Sequence, residues 1–377
     1  MKIGYESKRI FHNKTGLGNY ARYVLYVMSN YFPENTYYLY NPKKSNKSYF
    51  TVKNTNVFEC IPKGNLSKIF YNYWRQKGVV KDLIKDEINI YHGLSGELPF
   101  GLRKNNIKSI VTIHDLIFMR YPKLYSFFDR KIHYIKFKKA AKNADKIIAI
   151  SEQTKNDIIY YLKVNPEKIQ VIYQGCQNVF KIDYILDEKK AVTEKYHLPE
   201  KFILNVGTIE ERKNLFTIVK SIKDIDIPLV IIGKKTSYYN EIHQYIIDYK
   251  MENRVIHLSE LDNKELAIIY QLATIFVYPS IFEGFGIPII EALYSKTPVI
   301  TTNSGVFPEA GGPHSIYINP TNIDELKEKI ILLLNNENLR NEVTDKGFEF
   351  VQKFNDESIA NSINSLYLEI FKNDDNS

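Results

Sequence analysis

The chain reads as an α/β protein built on two parallel sheets, each wrapped by helices on both faces. Three observations predict this. Short apolar runs of strand length alternate with helical stretches through most of the 377 residues, the pattern of wound strand–helix–strand units rather than of hairpins. The runs fall into two sets separated by a charged, unpatterned stretch from Ile182 to His197, which predicts a linker near residues 178–198. Glycines, prolines and charged residues then collect directly after strands, at the carboxyl edge where such sheets bind ligands.

In the first half, strands are expected at residues 2–6, 37–40, 57–60, 88–92, 109–114 and 146–151. A helix should start near Asn19, opened by Gly16-Leu17-Gly18 after a loop from Ser7 to Thr15. In the second half they are expected at 202–206, 229–232, 255–258, 274–278, 299–302 and 315–318. Helices at 322–334, 338–353 and 356–371 should follow, with residues 373–377 as a frayed polar end.

Length and 44% hydrophobic content suffice for two cores. Cys60 and Cys176 cannot form a disulfide scaffold, which fits a reducing compartment. No apolar run is long enough to span a bilayer and no signal peptide is evident, so a cytoplasmic protein is expected. A net charge of +8 suits an anionic partner. Arg120, Lys123, Arg130, Lys131, Lys136, Lys138, Lys139 and Lys142 concentrate that charge, with Phe127, Phe128, Tyr134 and Phe137 among them. The stretch reads either as a solvated helix whose lysine stems cover apolar surface or as a contact with the inner face of an anionic membrane.

The most informative stretch is Pro279-Ser280-Ile281-Phe282-Glu283-Gly284-Phe285-Gly286-Ile287-Pro288-Ile289-Ile290-Glu291. Proline is tolerated in a helix's first turn, so Pro288 predicts a helix starting near Ile287. The amides around Gly284, Phe285, Gly286 and Ile287 then suit an anion such as a diphosphate. Carboxylates repel phosphate, so Glu283 and Glu291 are assigned to neutral hydroxyls, one set on a sugar and one on a ribose. Arg212 and Lys213, after a strand ending at Gly207, could neutralise a leaving diphosphate without a metal. His92 also follows a strand and is a candidate for the acceptor side. Asp224-Ile225-Asp226 precedes a strand, at the wrong edge for a ligand, and reads as a solvated turn. Gly16 and Gly18 offer unobstructed amides, but no acid ends the second strand to hold the ribose of a dinucleotide.

The spacing of Glu283 and Glu291 resembles the signature of the family-4 retaining glycosyltransferases. Further landmarks match in order: Thr15-Gly16-Leu17-Gly18-Asn19-Tyr20, Val111-Thr112-Ile113-His114-Asp115-Leu116, Ser151-Glu152, residues 205–214 and Thr297-Pro298-Val299-Ile300. The resemblance implies two facing Rossmann-like domains of the glycosyltransferase B type around an interdomain cleft. An acceptor domain would span 1–180, a nucleotide-sugar domain 181–355, and a last helix at about 356–377 would return to the first domain. It implies that His114 approaches the donor sugar and that base contacts come from Ser259, Glu260 and Leu261. Glu309 and Ser304-Gly305 would lie in a loop over the donor. Two departures stand out: Thr208 occupies a position where arginine is common, so Arg212 is expected to supply the guanidinium, and Lys296 replaces a helix-ending glycine.

The resemblance therefore implies a metal-independent hexosyltransferase, with no cofactor beyond its nucleotide-sugar substrate. The donor would be GDP-mannose or a UDP-sugar and the acceptor a glycan or lipid-linked glycan, in cell-surface polysaccharide synthesis. Configuration would be retained by front-face attack, with Glu283 orienting rather than attacking. Two rivals are a sugar-nucleotide epimerase of the same build and a basic nucleic-acid-binding protein. The 29 tyrosines and 21 phenylalanines fall mostly in apolar periodic segments, which reads as core rather than as a stacking surface for bases, so no nucleic-acid partner is expected.

Overall fold

The computed structural model describes residues 1–44, 49–63 and 70–372; the expected polar end at 373–377 lies outside them. The chain divides into two compact units, Met1–Gly175 with Phe354–Ser377, and Cys176–Lys353. Each is an α/β unit on one parallel sheet.

The first sheet contains β1 (Lys2–Glu6), β2 (Thr36–Tyr40), β3 (Val57–Cys60), β4 (Ile90–Gly93), β5 (Lys108–Ile113), β6 (Lys146–Ala149) and β7 (Ile169–Val171). Their order is β3-β2-β1-β4-β5-β6-β7. The winding reverses between β1 and β4, which makes that pair the topological switch point, where ligands of open α/β sheets bind. Side chains on both faces are buried, among them Ile3, Tyr5, Ile90, Ile110 and Val111, as a helix-covered parallel sheet requires. β7 was not anticipated: three residues after Pro166 give no apolar run to read.

The second sheet contains β8 (Ile203–Val206), β9 (Leu229–Ile232), β10 (Val255–Leu258), β11 (Ile275–Tyr278), β12 (Val299–Thr302) and β13 (Ile316–Ile318). Its order, β10-β9-β8-β11-β12-β13, puts the switch point between β8 and β11.

Three expectations need correction. The stretch taken for a linker holds a helix, Leu186–Tyr196. Only Val192 of it is buried, so the sequence shows no apolar stripe. Ion pairs fasten the helix instead: Lys264 to Glu188 at 2.7 Å and Lys195 to Glu265, with Tyr196 donating to Glu265 at 2.9 Å. The supposed loop after β1 contains a short helix, Lys8–His12. The next helix runs from Gly16 to Tyr31, three residues earlier than expected.

The last helix, Asp356–Lys372, packs on Gly16–Tyr31 within the first unit, as the resemblance implied. Tyr23 donates to Asp356 at 2.9 Å, and Tyr367 sits fully buried beside Tyr5. Among the described residues no helix is long and apolar enough to cross a membrane.

Candidate functional site

In the second unit the predicted residues gather at the switch point. β8 ends at Val206 and is followed by Gly207 and the 3₁₀ turn Glu211–Lys213; β11 ends at Tyr278 and is followed by Pro279 to Gly286. Glu283 is where the two loops meet. Its Oε1 accepts from Lys213 Nζ at 2.5 Å, Tyr278 OH at 3.0 Å and Ser280 Oγ at 3.0 Å, and lies 2.9 Å from Arg212 NH1. Lys213 also donates to the Tyr278 hydroxyl at 2.6 Å. Arg212 is fixed further by the Phe282 carbonyl and by Glu210, each at 2.5 Å.

Burial pushes the Glu283 carboxyl up, but Lys213 and Arg212 outweigh it and hold it below the usual carboxylate range. It is therefore ionised at neutral pH and can only accept hydrogen bonds. The two cations sit on Glu283 itself rather than across from it. Sequence reading missed the two hydroxyls that complete the cluster, Tyr278 and Ser280. Both are buried directly after or at the end of β11, a position that could have flagged them.

The helix expected near Ile287 spans Ile287–Tyr294, with Pro288 in its first turn and Gly286 as its N-cap at φ 108°. A side chain at Gly286 would be strained in that left-handed conformation. Phe285 is 2% exposed, so its ring is core and only its backbone can serve a ligand. Glu291 lies on the second turn of this helix and accepts from Tyr270 OH at 3.1 Å. Burial pushes its carboxyl up to about 7, with only the Tyr270 bond opposing. The two glutamates thus differ: one is held charged by cations, the other is close to half-protonated at neutral pH. Leu261 is partly buried in the turn between β10 and the Asn263–Leu272 helix, where Asp262 and Glu265 make a reciprocal capping pair. Glu309 lies in the first turn of a short helix, Phe307–Gly311, not in an open loop. Asp224 pairs with Lys327 at 3.1 Å on the surface.

His114, Gly16 and Gly18 belong to the first unit. His114 follows β5; its Nε2–H donates to the Leu94 carbonyl at 2.9 Å, and Tyr20 meets it edge-on at 4.5 Å. Burial pushes its pKa down to about 4, against the Leu94 bond. At neutral pH it is an uncharged imidazole with Nδ1 as acceptor. Asp115 accepts from the Ile117 amide at 3.1 Å, a structural role as expected. Gly18 is buried because a Cβ would stand 2.0 Å from the Asn13 carbonyl oxygen, so its absence of side chain lets the Lys8–His12 helix pack. Gly16 is exposed, with open space where a Cβ would be.

His92 does not line a surface. It is fully buried, with Nδ1 2.7 Å from Tyr367 OH and Nε2 2.8 Å from Thr112 Oγ1. The chain of bonds runs on to Tyr5 at one end and Tyr20 at the other. Burial pushes its pKa down to about 3; it is a core histidine satisfied on both nitrogens.

Comparison with known proteins agrees with this geometry. Residues 35–177 match the model of Glycosyltransferase Family 4, and residues 187–350 match that of Glycosyl transferases group 1. The chain belongs to the group 1, family 4 glycosyltransferases. An O-antigen chain mannosyltransferase, RfbU of Salmonella typhimurium, is 34% identical over 212 residues; the match spans 56% of each chain, little more than half of that relative. Among solved structures, a sucrose-phosphate synthase from Thermosynechococcus elongatus superposes with a TM-score of 0.80 at 21% identity over 99% of both chains. Anabaena HepE in complex with UDP gives 0.76 at 15% identity, over 98% of this chain and 100% of that one. At those identities the likeness shows a shared fold, that of the B-type glycosyltransferases. Within this family fold, the Glu283 cluster and the Ile287–Tyr294 helix both follow β11, at the switch point of the second unit.

Proposed function

We propose that this protein transfers a hexosyl group, with retention of anomeric configuration, from a nucleotide diphosphate sugar to a glycan or lipid-linked acceptor in cell-surface polysaccharide synthesis. The observation that carries the reading is the Glu283 cluster at the second switch point: a charged carboxylate, two cations and a helix amino end on adjacent loops. A diphosphate is the ligand that such a helix end and such cations would bind. Negative charge grows on it as the sugar bond breaks, and Arg212 and Lys213 would stabilise that charge without a metal. Glu283, already saturated on Oε1 and held ionised, would orient sugar hydroxyls rather than attack carbon. Front-face attack assisted by the departing phosphate follows. The neutral His114 of the first unit would accept or donate one hydrogen bond to the donor sugar. Glu291 would take the ribose hydroxyls and Leu261 the base.

The relatives support both the donor class and the setting. RfbU is named for mannose transfer to O-antigen and HepE was solved with UDP, so GDP-mannose and UDP-sugars are the donors to try. A thermal-shift screen of GDP, UDP and their sugars should raise the melting temperature for one base series. Proton NMR of the product should show the donor's anomeric configuration, in reactions run with chelator; an inverted product, or an absolute need for divalent metal, refutes the mechanism. Mass spectrometry should find no glycosyl-enzyme.

The same reading includes a peripheral contact with an anionic membrane on the first unit. On the Phe127–Asn143 helix, Phe128, Ile132 and Ile135 are exposed at helical spacing, Phe128 at 76%. Lys131, Lys138, Lys139 and Lys142 are exposed on the same helix. Apolar anchors flanked by lysines suit an anionic interface. The protein should sediment with anionic vesicles at low salt and be released by high salt; no sedimentation rejects the contact.

A further inference from the structure

The switch point of the first unit, between β1 and β4, holds a cluster that the reading above leaves without a task. Glu6 ends β1 at the carboxyl edge and is only 6% exposed. Both of its carboxylate oxygens lack a hydrogen-bond partner among the described residues, as do the neighbouring Ser7 hydroxyl and Arg75 Nε. Eight buried side-chain atoms in the described residues are unsatisfied in this way, and four belong to these three residues. Buried polar groups are normally paired, so such a concentration asks for a missing partner.

The surroundings are built, not loose. Arg75 NH2 stands 3.1 Å from Glu6 Oε1 and donates to Glu97 Oε2 at 3.1 Å; Lys136 reaches Glu97 at 3.4 Å. The contact with Glu6 is an ion pair at an angle that makes no hydrogen bond. Glu97 sits in the turn after β4, and that turn is fixed at two points: His114 donates to the Leu94 carbonyl at 2.9 Å, and the Gly96 amide donates to the Thr112 carbonyl at 2.9 Å. Arg9 adds positive charge near both Glu97 and His114. Two carboxylates against two or three cations leave a nearly balanced site, which favours neither a phosphate nor a metal cation. A neutral polyhydroxyl ligand is what carboxylate acceptors and a spare guanidinium N–H can satisfy together.

We infer that Glu6, Arg75 and Glu97 form a hydroxyl-binding site for the acceptor saccharide at the first switch point. A vicinal diol would donate to Glu6 and accept from Arg75 Nε, and Glu97 would hold the guanidinium in place. The inference rests on the glycosyltransferase reading for its ligand class, while the unsatisfied cluster itself does not depend on it.

The test is saturation-transfer NMR on the full chain with methyl α-D-mannoside, methyl α-D-glucoside and methyl α-D-galactoside, beside calorimetry with UDP and GDP. The wild type should bind at least one glycoside. Glu6→Gln and the more exposed Glu97→Gln should each weaken that binding about ten- to a hundred-fold, the loss expected for one charge-assisted hydrogen bond. Nucleotide affinity should not change, and Glu6→Gln should melt no lower than the wild type because it removes an unsatisfied buried charge. A wild type that binds no glycoside overturns the inference. So do variants that melt lower yet bind glycoside as before, the signature of a purely structural ion pair. Glycoside binding without any nucleotide binding would instead sink the glycosyltransferase reading and leave the hydroxyl site standing.

Discussion

The two units place a buried glutamate at the same topological position and treat it in opposite ways. In the second unit Glu283 ends the loop after β11, and two cations and two hydroxyls converge on one of its oxygens. In the first unit Glu6 ends β1, and neither oxygen receives a hydrogen bond from the described residues. A carboxylate saturated by its own protein is a fixed charge, ready to orient a ligand and hold cations in place. One left unsatisfied is destabilising until something else supplies donors. The same fold thus shows two ways of preparing a ligand edge, one with the charges already gathered and one with a hydrogen-bonding deficit.

The comparison breaks most visibly at Glu283. Glu283→Gln keeps the shape but removes the charge that gathers Lys213 and Arg212, and turnover measured by nucleotide release should fall about 10²- to 10³-fold. If Glu283 were only scaffold, turnover would follow stability and a small change in melting temperature would accompany a small change in rate. Next in size is His92 in the first unit. His92→Phe leaves the Tyr367 and Thr112 hydroxyls each short of one buried partner, so chemical denaturation should show a loss of about 2 kcal/mol or more. Since His92 lies in the core, transfer measured below the melting transition should survive.

Protonation sharpens the contrast. His92 and His114 have folded pKa values of about 3 and about 4, below the ordinary 6.5. An unfolded chain therefore binds protons that the folded first unit refuses, and their contribution, fully present above about pH 6.5, is lost as pH falls towards those values. Glu291 runs the other way: its folded pKa of about 7 lies above the ordinary 4.5. The folded second unit holds a proton that the unfolded chain has released, so its stability falls as pH rises from about 4.5 to about 7. Hydrogen exchange resolved by segment should show the first unit gaining protection across that window and the second losing it. Glu291→Gln should abolish the second trend and leave the first. Parallel slopes in the two units would refute this assignment.

Much of the architecture was readable because a parallel sheet buried on both faces writes its strands as short apolar runs, and twelve of them were placed within two residues of their observed positions. The Leu186–Tyr196 helix escaped because its stability comes from ion pairs to the Asn263–Leu272 helix, and charge in a sequence looks like solvent exposure. Pro288 located the Ile287–Tyr294 helix because proline's chemistry is local. Pairings across long separations are not local. Nothing in the sequence said that Lys213 would sit on Glu283, or that His92, one residue short of a strand end, would point at Tyr367 near the chain's other end. Glu6 and Arg75 were passed over for the same reason: a glutamate closing a strand reads as a solvated end until the fold shows it buried.

The smallest test concerns the end of the helix that carries Glu291. Lys296 replaces the expected glycine and takes the left-handed conformation, at φ 56°. It is not without support there: its ammonium lies 3.2 Å from Asp183 and 5.0 Å from the centre of the Phe348 ring. Left-handed backbone costs a non-glycine residue about 1 kcal/mol, while an exposed ion pair and ring contact return a few tenths to about 1 kcal/mol. Lys296→Gly should therefore shift stability by no more than about 0.5 kcal/mol in either direction. A larger loss would mean that the Asp183 and Phe348 contacts anchor the helix end, and Glu291 would then depend on them for its position. In that case Lys296→Gly should also weaken nucleotide binding, which Glu6→Gln in the other unit should not.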